Sequence, residues 1–293
     1  MINIHFIINP IAGSGKNELD IKLLREYFDA HTFNIVLKYS EYKGHAVKLT
    51  NDSIKDDARI IVACGGDGTI NEVASTLIGT SILLGIIPIG SGNGLASNLS
   101  IPKNIKKALR LIQQQQFTTI DVGCVNNRYF FSNTGLGLPA NVIEKYELSE
   151  KRTLLSYVRA TFKSVNQYTK KEKLQIQINE KTTYLNPFLI LISNSNEMGY
   201  NMSLTPKANL QDGLLDVIVI PEIKLIKMLY FGLCMLFRKP EYLKEALCFQ
   251  SDHITLLRTP GSGFQSQIDG ELVKFEDQKL TISIKERSLN VII

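Results

Sequence analysis

The sequence lacks the cysteine pattern of a zinc protein or a disulfide scaffold. Its four cysteines, Cys64, Cys124, Cys234 and Cys248, are scattered without paired ligand spacing, so we expect reduced thiols and no zinc site. Internal repeats and low-complexity tracts are missing, and 44% of the residues are hydrophobic, which predicts a globular protein with a sizeable core. Residues 1–10 do not form a basic leader followed by a long apolar region, so we expect a cytoplasmic location.

Strong charge and a long apolar run are missing too. The formal net charge of +5 over 293 residues falls short of a nucleic-acid-binding surface, although it suits weak attraction to phosphates or membranes. The apolar helical stretch at 224–237 is too short to span a bilayer. It fits either a packed amphipathic helix or a helix with a membrane-touching face. The length predicts one or two domains.

The first 120 residues alternate between strand and helix patterns. Apolar runs rich in β-branched residues predict strands at Asn3–Asn9, Phe33–Tyr39, Arg59–Cys64 and Ile82–Ile87. Helical spacing follows each of them, over Leu19–Phe28, Gly44–Asn51, after Thr69 and over Asn104–Gln114. This alternation predicts a doubly wound α/β domain with a ligand crevice at the carboxyl ends of its strands.

The stretch Ile60–Ala74 joins a buried strand to a helix through Gly65-Gly66-Asp67-Gly68-Thr69. Glycines let the backbone approach a ligand closely, and the first N–H groups of a helix favour phosphate. A carboxylate is an unusual neighbour for a phosphate unless a divalent cation lies between the two. Asp67 therefore predicts a nucleotide that is bound together with a metal ion. The alternative is a glycine-rich turn in which the aspartate caps the helix.

Further loops end the neighbouring predicted strands. Asn9–Gly15 offers backbone amides and leads to Lys16, which either reaches a phosphate or is an ordinary exposed lysine. Its spacing is not that of a Walker loop. Ser40 offers a hydroxyl near the same edge of the sheet.

The loop Gly90–Gly94 follows the fourth predicted strand. It adds backbone that permits close approach, and Ser91 and Asn93 can donate to phosphate or ribose oxygens. Because several glycine-bearing loops lie at neighbouring strand ends, they favour a nucleotide site over unrelated turns.

After about residue 121 the pattern changes to short strands separated by polar turns, as in an antiparallel sandwich. Two helical stretches, 141–168 and 224–237, interrupt it. The last apolar run, Leu289–Ile293, is compatible with a return to the first domain, and the sequence alone does not decide this. The predicted strands are Val122–Val125, Tyr129–Asn133, Leu174–Ile178, Thr183–Ser193, Leu215–Val219, His253–Leu257, Gly263–Ile268 and Leu280–Ile284.

Ordered motifs along the chain resemble the diacylglycerol kinase catalytic family, which includes bacterial soluble diacylglycerol kinases, sphingosine kinases and ceramide kinases. The first half contains Asn9-Pro10 with Ala12-Gly13, Gly65-Gly66-Asp67-Gly68-Thr69 with Asn71-Glu72, and Pro88-x-Gly90-Ser91-Gly92-Asn93. The second half contains Asp121-Val122-Gly123, Phe131-Ser132-Asn133-x-Gly135-Leu136-Gly137, Asp212-Gly213-Leu214-Leu215-Asp216 and Ile268-Asp269-Gly270-Glu271. The resemblance covers nearly the whole chain.

This resemblance implies two domains with ATP bound between them. Residues 1–120, completed by 286–293, are expected to form a doubly wound α/β domain like those of NAD kinases and phosphofructokinases. Residues 121–285 are expected to form a C-terminal antiparallel β-sandwich domain for the lipid substrate. The family's nucleotide site matches Asn9, Pro10, Ile11, Ala12, Gly13, Ser40, Gly65, Gly66, Asp67, Gly68, Thr69, Ile70, Asn71 and Ser91.

The resemblance also implies a set of catalytic carboxylates. Glu271 matches the family's catalytic base, and Asp121 matches an acidic residue that supports it. Phosphoryl transfer to an alcohol needs neutralised β- and γ-phosphates and a carboxylate that accepts the hydroxyl proton. Asp67 with Mg²⁺ would supply the first requirement and Glu271 the second. The alternative for Asp269-Gly270-Glu271 is an ordinary hairpin turn.

A second cation site is implied at Asp212-Gly213-Leu214. In the bacterial family members a structural Mg²⁺ is bound there by the aspartate and by backbone carbonyls, here those of Asn209 and Leu214. Oxygen ligands suit such a hard cation. A plain Asp-Gly turn is the alternative.

The substrate class is the least defined part of the prediction. Bacterial diacylglycerol kinases usually carry aspartate where this chain has Gly94, and the small residue resembles the sphingosine kinases instead. We therefore expect an ATP- and Mg²⁺-dependent kinase of a diacylglycerol-like or long-chain-base lipid, acting in lipid metabolism and phospholipid biosynthesis at the inner membrane surface, as a monomer or homodimer. The alternatives are a kinase of a soluble acceptor, as in NAD kinases, and a regulatory nucleotide-binding protein without catalysis.

Overall fold

A computed structural model describes residues 1–13, 19–90, 92–148, 156, 159–161, 163–164, 174–178, 181–185, 187–196, 203–258 and 263–293. The chain divides into two compact units. The first unit contains Met1–Asp121 and Glu286–Ile293, and the second contains Val122–Lys285. The chain therefore leaves the first unit once and returns to it for its last eight residues.

The first unit is built on a parallel sheet in which strand and helix alternate. The sheet order is β2-β1-β3-β4, and the end of the last strand joins it where Val291 pairs in parallel with Leu84 of β4. The elements are β1 (Ile2–Ile8), α1 (Ile21–Arg25), β2 (Phe33–Tyr39), α2 (His45–Lys55), β3 (Ile60–Gly65), α3 (Asp67–Leu77), β4 (Leu83–Pro88), α4 (Gly94–Asn98), α5 (Ile105–Gln114) and the start of β5 (Phe117–Val125).

Burial explains why these strands occupy the centre of the unit. All six residues of β3 are buried, as are all six of β4, which is the continuous apolar pattern of a sheet covered on both faces. Helix α5 is fixed at its start by Asn104, whose side chain accepts a hydrogen bond from the Lys107 N–H at 3.0 Å. The buried strands form the centre of the sheet, and the loops that follow them lie at its carboxyl edge.

The second unit is antiparallel. One of its sheets has the order β12-β11-β10-β7-β14-β15, and in the other β13 pairs with β8 and with the start of β16. The elements are the end of β5, β6 (Arg128–Phe130), β7 (Asn133–Gly137), α6 (Leu138–Glu147), β8 (Leu174–Ile178), β9 (Lys181–Leu185), β10 (Pro187–Ser193), β11 (Leu215–Pro221), α7 (Leu225–Leu236), a 3₁₀ turn (Pro240–Tyr242), β12 (Leu247–Ser251), β13 (His253–Arg258), β14 (Phe264–Ile268), β15 (Glu271–Phe275) and β16 (Lys279–Ile292).

Buried side chains from both sheets of this unit form one hydrophobic cluster, in which Ile190 and Val217 come from one sheet and Leu256 and Ile282 from the other. A second cluster covers the other face of the six-stranded sheet, where Val142 of α6 and Phe231 of α7 pack against it. The unit is thus a sandwich with helices on one outer face. Among the described helices none is both long and apolar enough to cross a membrane.

Several element predictions were wrong in detail. The predicted strand Tyr129–Asn133 is two strands, β6 and β7, and Thr183–Ser193 is likewise divided into β9 and β10. The short helix α4 and the strands β12 and β15 were not predicted. The helix expected from Asn141 begins earlier, at Leu138, and half of its expected length lies outside the described residues.

His5 in β1 gives the first unit a pH-dependent stability. Its side chain is only 2% exposed, and burial, followed by the nearby Lys38 charge, lowers its pKa below the ordinary value of 6.5. As the pH falls below this ordinary pKa, His5 takes up a proton in the unfolded chain more readily than in the folded chain. The part of the folding stability that depends on a neutral His5 is present at neutral pH and is lost on acidification.

We expect His5→Gln to lose this pH dependence, because glutamine cannot take up the proton. Urea unfolding at about pH 7.5 and about pH 5.5 measures the effect. The free energy of unfolding of the unchanged chain should fall more on acidification than that of the variant. An equal fall in both proteins would contradict the role assigned to His5.

Candidate functional site

The loop after β1 is held by the side chain of Asn9. Its Nδ2 donates to Thr69 Oγ1 at 3.2 Å, and its Oδ1 accepts from the Ile11 N–H at 3.2 Å. The Asn9 N–H donates to the Cys64 carbonyl at 2.9 Å, which ties the end of β1 to the end of β3. Asn9 therefore links the first loop to the start of α3.

A single glycine lets the first loop lie against the loop after β4. Gly13 has φ +67, and a Cβ at this position would lie 2.7 Å from the Ile89 carbonyl oxygen. Both the backbone conformation and the contact exclude a side chain.

Asp67 joins the turn after β3 to the loop after β4. Its Oδ2 accepts from the Asn93 N–H at 2.8 Å, and its Oδ1 accepts from the Gly94 N–H at 2.7 Å. Both bonds are charge-assisted and short. Asp67 lies in the first turn of α3, and it also fixes the first residue of α4.

The loop after β4 is closed on itself by Asn93, which is 1% exposed and has φ 56. Its Oδ1 accepts from the Gly90 N–H at 3.1 Å, and its Nδ2 donates to the Gly90 carbonyl at 2.6 Å. Gly90 also approaches Gly66 so closely that a Cβ on Gly90 would lie 2.5 Å from the Gly66 Cα. These two glycines thus permit the loops to pack against each other.

The loop after β2 is fixed by a carboxylate to which sequence analysis gave no role. Glu72 of α3 accepts from the Gly44 N–H at 2.8 Å and from the Ala46 N–H at 3.2 Å. It therefore caps α2, whose N-cap is a glycine without a side chain. In the sequence, a glycine at the predicted start of α2 indicates that the cap must come from another part of the chain. Ser40 lies at the start of this loop, where its N–H donates to the Ile8 carbonyl at 2.9 Å.

Together these contacts gather four loops at the carboxyl edge of the parallel sheet. Helix α3 begins there directly after its N-cap residue Gly66, which has no side chain to cap it. The N-terminus of an eleven-residue helix beside backbone amides is a place where an anion is stabilised. The edge is therefore suited to bind phosphate.

The remaining nucleotide candidates occupy different environments. Pro10, Ile11 and Gly68 are exposed, and Ile11 is 82% exposed. Ile70 is 2% exposed and its N–H donates within α3 to the Gly66 carbonyl at 3.0 Å, so its side chain belongs to the core. Ala12, Gly65 and Asn71 lie in the loop and helix segments just described, whereas Lys16 and Ser91 lie outside the described residues.

Asp121 is buried where the chain leaves the first unit. It is 1% exposed, and its Oδ1 accepts from the backbone N–H of Arg287 at 2.6 Å. Arg287 has φ 43 and belongs to the segment that returns to the same unit. Asp121 thus holds the departing and returning segments together.

In the second unit, Asp269 organises the turn that precedes Glu271. Its Oδ2 accepts from the Phe131 N–H at 2.8 Å, and its Oδ1 accepts from the Ser132 and Asn133 N–H groups at 2.8 and 3.0 Å. Asp269 and Gly270 have φ 46 and 84 and connect β14 to β15 in a two-residue loop, the geometry of a tight hairpin turn. Glu271 is the exposed first residue of β15.

A buried polar relay supports this turn and was not assigned from the sequence. Gln267 is 3% exposed, and its Oε1 accepts from the Gly270 N–H at 2.9 Å. Its Nε2 donates to Asn133 Oδ1 at 2.6 Å, and Asn133 Nδ2 donates to Ser132 Oγ at 3.0 Å. Because buried amides must find partners, this relay fixes the backbone one residue before Glu271. In the sequence, the sign of such a relay is an amide side chain inside an apolar strand pattern, as at Gln267 in β14 and Asn133 in β7.

The candidate structural cation site lies in a polar turn. Asn209 and Asp212 are exposed, Asn209 Oδ1 accepts from the Gln211 N–H at 3.1 Å, and Asp212 Oδ1 accepts from the Leu214 N–H at 3.1 Å. Gln250 Nε2 donates to both Asp212 and Asp216, at 3.4 and 3.1 Å. Burial raises the pKa of Asp216, and the Asp212 carboxylate adds to this effect. No group of three or more His, Cys, Asp or Glu side chains is arranged as a metal site within the described residues.

The fold is shared with a solved NAD kinase and a solved diacylglycerol kinase. A solved NAD kinase from Archaeoglobus fulgidus in complex with ATP matches with a TM-score of 0.55 and 12% identity, over all of this chain and 94% of that one. A solved diacylglycerol kinase from Bacillus anthracis str. Sterne matches with a TM-score of 0.71 and 18% identity, over 99% of this chain and 96% of that one. The predicted fold class is confirmed.

Sequence comparison identifies the family. Residues 3–125 match the diacylglycerol kinase catalytic domain, and residues 134–239 match the YegS C-terminal NAD kinase beta sandwich-like domain. The chain belongs to the diacylglycerol kinase catalytic-domain family, as its motifs predicted. A diacylglycerol kinase of Staphylococcus haemolyticus is 27% identical over 276 residues, which cover 90% of this chain and 81% of that protein. An uncharacterized Synechocystis protein is 28% identical over 230 residues, and the match spans about half of that relative, 52%.

We expect Asp269→Ala to destabilise the second unit by about 3 kcal/mol, because three backbone N–H groups lose a charged acceptor. Denaturant unfolding measures this loss. Asp252→Ala is the matched control, since Asp252 is an exposed aspartate of the same unit and surface substitutions change stability by about 0.5 kcal/mol or less. If both variants unfold alike, Asp269 does not organise the turn.

Proposed function

We propose that this protein is an ATP- and Mg²⁺-dependent lipid kinase, which transfers the γ-phosphoryl group to the hydroxyl of a diacylglycerol-like or long-chain-base lipid. The observation that carries the proposal is the set of loops fastened around the start of α3 by Asn9, Asp67 and Asn93. Family membership supports the choice of a lipid acceptor, because the family model and the Staphylococcus relative are both described as diacylglycerol kinases.

The loop edge fits the phosphates of ATP. Gly13, Gly66 and Gly90 keep the loops thin where their backbones meet, and α3 presents its N-terminal turn beside them. Ser40 and Asn71 are the polar side chains that we assign to the nucleotide at this edge, and Lys16 and Ser91 complete the proposed set. The solved NAD kinase with this fold is described in complex with ATP, which agrees with the assignment.

Asp67 is the residue to which we assign Mg²⁺. Each of its carboxylate oxygens accepts one backbone N–H, and a carboxylate oxygen has a further lone pair for a cation. When bound, Mg²⁺ neutralises charge on the β- and γ-phosphates. The two hydrogen bonds fix the carboxylate without using up its capacity, so the residue fits the cation.

Gly94 sets the number of carboxylates near this cation. A Cβ at Gly94 would lie 3.8 Å from Asp67 Oδ1, which is an ordinary contact. An aspartate at this position would therefore bring a second carboxylate close to Asp67. We infer that the glycine leaves this chain with a weaker cation site than family members that carry aspartate there.

Glu271 is assigned the general base. It is exposed at the start of β15, directly after a turn that Asp269 and Gln267 hold by side-chain hydrogen bonds to backbone N–H groups. A carboxylate held on a rigid hairpin can accept the proton of a lipid hydroxyl as its oxygen attacks phosphorus. Asp121, which fixes the Arg287 backbone, is assigned the supporting acidic role. Asn209, Asp212 and Leu214 remain our proposed structural Mg²⁺ ligands.

We expect Glu271→Gln to abolish lipid phosphorylation while ATP binding persists, because the amide cannot accept the proton. The measurement is transfer from labelled ATP to diacylglycerol and to sphingoid bases in mixed micelles, with nucleotide binding followed by calorimetry. Glu276→Gln is the matched control, since Glu276 is an exposed glutamate just after the same hairpin. Full activity of Glu271→Gln would remove this residue from the base role.

We expect opposite changes in the Mg²⁺ requirement from two substitutions at the loop edge. Asp67→Asn removes the carboxylate charge and should raise the Mg²⁺ concentration that gives half-maximal activity by about tenfold, whereas Gly94→Asp should lower it. Denaturant unfolding of both variants separates this effect from loss of the loop contacts. A Mg²⁺ titration that is the same in both variants and the unchanged chain would exclude the site.

The same micelle assay tests the alternative functions. Soluble acceptors, including NAD, are supplied in parallel with the lipids. Phosphorylation of a soluble acceptor alone would favour an NAD-kinase-like activity. ATP binding without transfer to any acceptor would favour a regulatory nucleotide-binding protein.

A further inference from the structure

Helix α7 presents an exposed apolar stripe along one side. Its members are Ile226, Tyr230, Leu233 and Phe237, which are 71%, 46%, 54% and 74% exposed. They are spaced by four, three and four residues, which places them on one helical face. Phe237 follows the last helical residue, and its N–H still donates to the Leu233 carbonyl at 3.2 Å. We call these four residues the 226–237 stripe.

The opposite side of α7 is anchored in the second unit. Phe231 and Cys234 are each 5% exposed, and Met228 packs against the same hydrophobic cluster. The helix is therefore already packed through one face, and the stripe is a separate apolar surface. Contiguous exposed apolar patches of this kind mark interaction sites in proteins that are otherwise covered by polar residues.

Positive charges border the stripe at both ends. Lys224 precedes it, and Arg238 and Lys239 follow it directly. Lys239 Nζ donates to the Tyr242 hydroxyl at 3.1 Å and lies 5.0 Å from the centre of the Tyr242 ring. Tyr242 is itself 56% exposed, so a cation and an aromatic ring lie together beside the apolar face.

The charge balance of the surrounding segment is also positive. Lys227 pairs with Glu245, so these two opposite charges offset each other. Between residues 222 and 247 the cations are Lys224, Lys227, Arg238, Lys239 and Lys244, and the carboxylates are Glu222, Glu241 and Glu245.

We propose that the 226–237 stripe docks on the surface of an anionic lipid bilayer, with α7 lying in the plane of the interface. Apolar side chains on one helical face enter the acyl boundary, while basic residues at the ends contact anionic headgroups and tyrosine suits the headgroup level. The inference rests on the proposed function, because a diacylglycerol-like or long-chain-base substrate resides in a bilayer.

Charge favours a bilayer over a second copy of the chain as the occupant. In a symmetric dimer the same patch meets itself, so the cations at the ends of α7 would face an interface with the same excess of positive charge. An anionic bilayer instead supplies the opposite charge along the whole stripe.

The chain contains no tryptophan, so Phe237→Trp introduces a single fluorescent probe into the stripe. We expect its emission to shift to shorter wavelength on adding phosphatidylglycerol vesicles without nucleotide or Mg²⁺, and brominated acyl chains to quench it. Leu148→Trp is the matched control, since Leu148 is an 82% exposed apolar residue of the same unit outside the stripe. Equal responses of the two probes, or no response of the Phe237→Trp probe, would overturn the proposal.

A binding measurement completes the test. We expect Ile226→Ser with Phe237→Ser to weaken sedimentation with phosphatidylglycerol vesicles by about tenfold or more, and Leu148→Ser to leave it unchanged. Circular dichroism checks that both variants fold, and the single substitution Leu233→Glu serves if the double variant does not. Unchanged vesicle binding by a folded stripe variant would overturn the proposal, as would a stripe-dependent dimer that does not bind vesicles.

Activity separates this inference from the proposed function. With a water-dispersed short-chain diacylglycerol, the folded stripe variant should be as active as the unchanged chain, and with vesicle-embedded diacylglycerol it should lose activity. An equal loss on both substrates would overturn docking as the role of the stripe. If no lipid is phosphorylated by any variant, the proposed function fails, while the vesicle measurements still decide whether the stripe docks.

Discussion

The carboxylate of Asp67 is the contact on which the candidate nucleotide site depends. It accepts the backbone N–H groups of Asn93 and Gly94 at 2.8 and 2.7 Å, and so it connects the start of α3 with the start of α4. Without a charged acceptor at this point, two backbone donors would lose their partner in a partly buried loop. The loops after β3 and β4 pack closely next to these two hydrogen bonds. Gly66 lies against Gly90, and the Asn93 side chain donates to the Gly90 carbonyl within the same turn.

In the second unit too, an aspartate side chain holds a loop by accepting hydrogen bonds from backbone N–H groups. Asp269 accepts three backbone N–H groups from the segment 131–133, which holds a hairpin turn with two positive φ angles. Gln267 fixes the next residue, Gly270, through a buried relay. The ordinary hairpin interpretation of the sequence thus accounts for Asp269 and Gly270, and it leaves Glu271 as the residue that the turn presents.

Three residues to which sequence analysis gave no individual role, Glu72, Asn133 and Gln267, share a physical character. Their hydrogen-bond partners lie far away in sequence: Glu72 accepts from the Gly44 N–H, 28 residues away, and the Gln267 side chain donates to the Asn133 side chain, 134 residues away. No local periodicity encodes such contacts. The missed strands β12 and β15 are mostly exposed or half-buried, so they lack the apolar pattern by which β3 was found. The turn aspartates were recognised from their motifs, but their hydrogen-bond partners were not.

The sequence by itself determined the alternation of strands and helices in the first unit, the change to antiparallel strands near residue 121 and the family. These follow from local hydrophobic periodicity and from short ordered motifs. The tertiary structure decided two points that the apolar pattern left open. The last residues return to the first unit, where Val291 pairs with Leu84, and one side of α7 is buried while the other is exposed. Both depend on which distant surfaces meet, and a linear apolar pattern is equally compatible with a protein core or with a membrane.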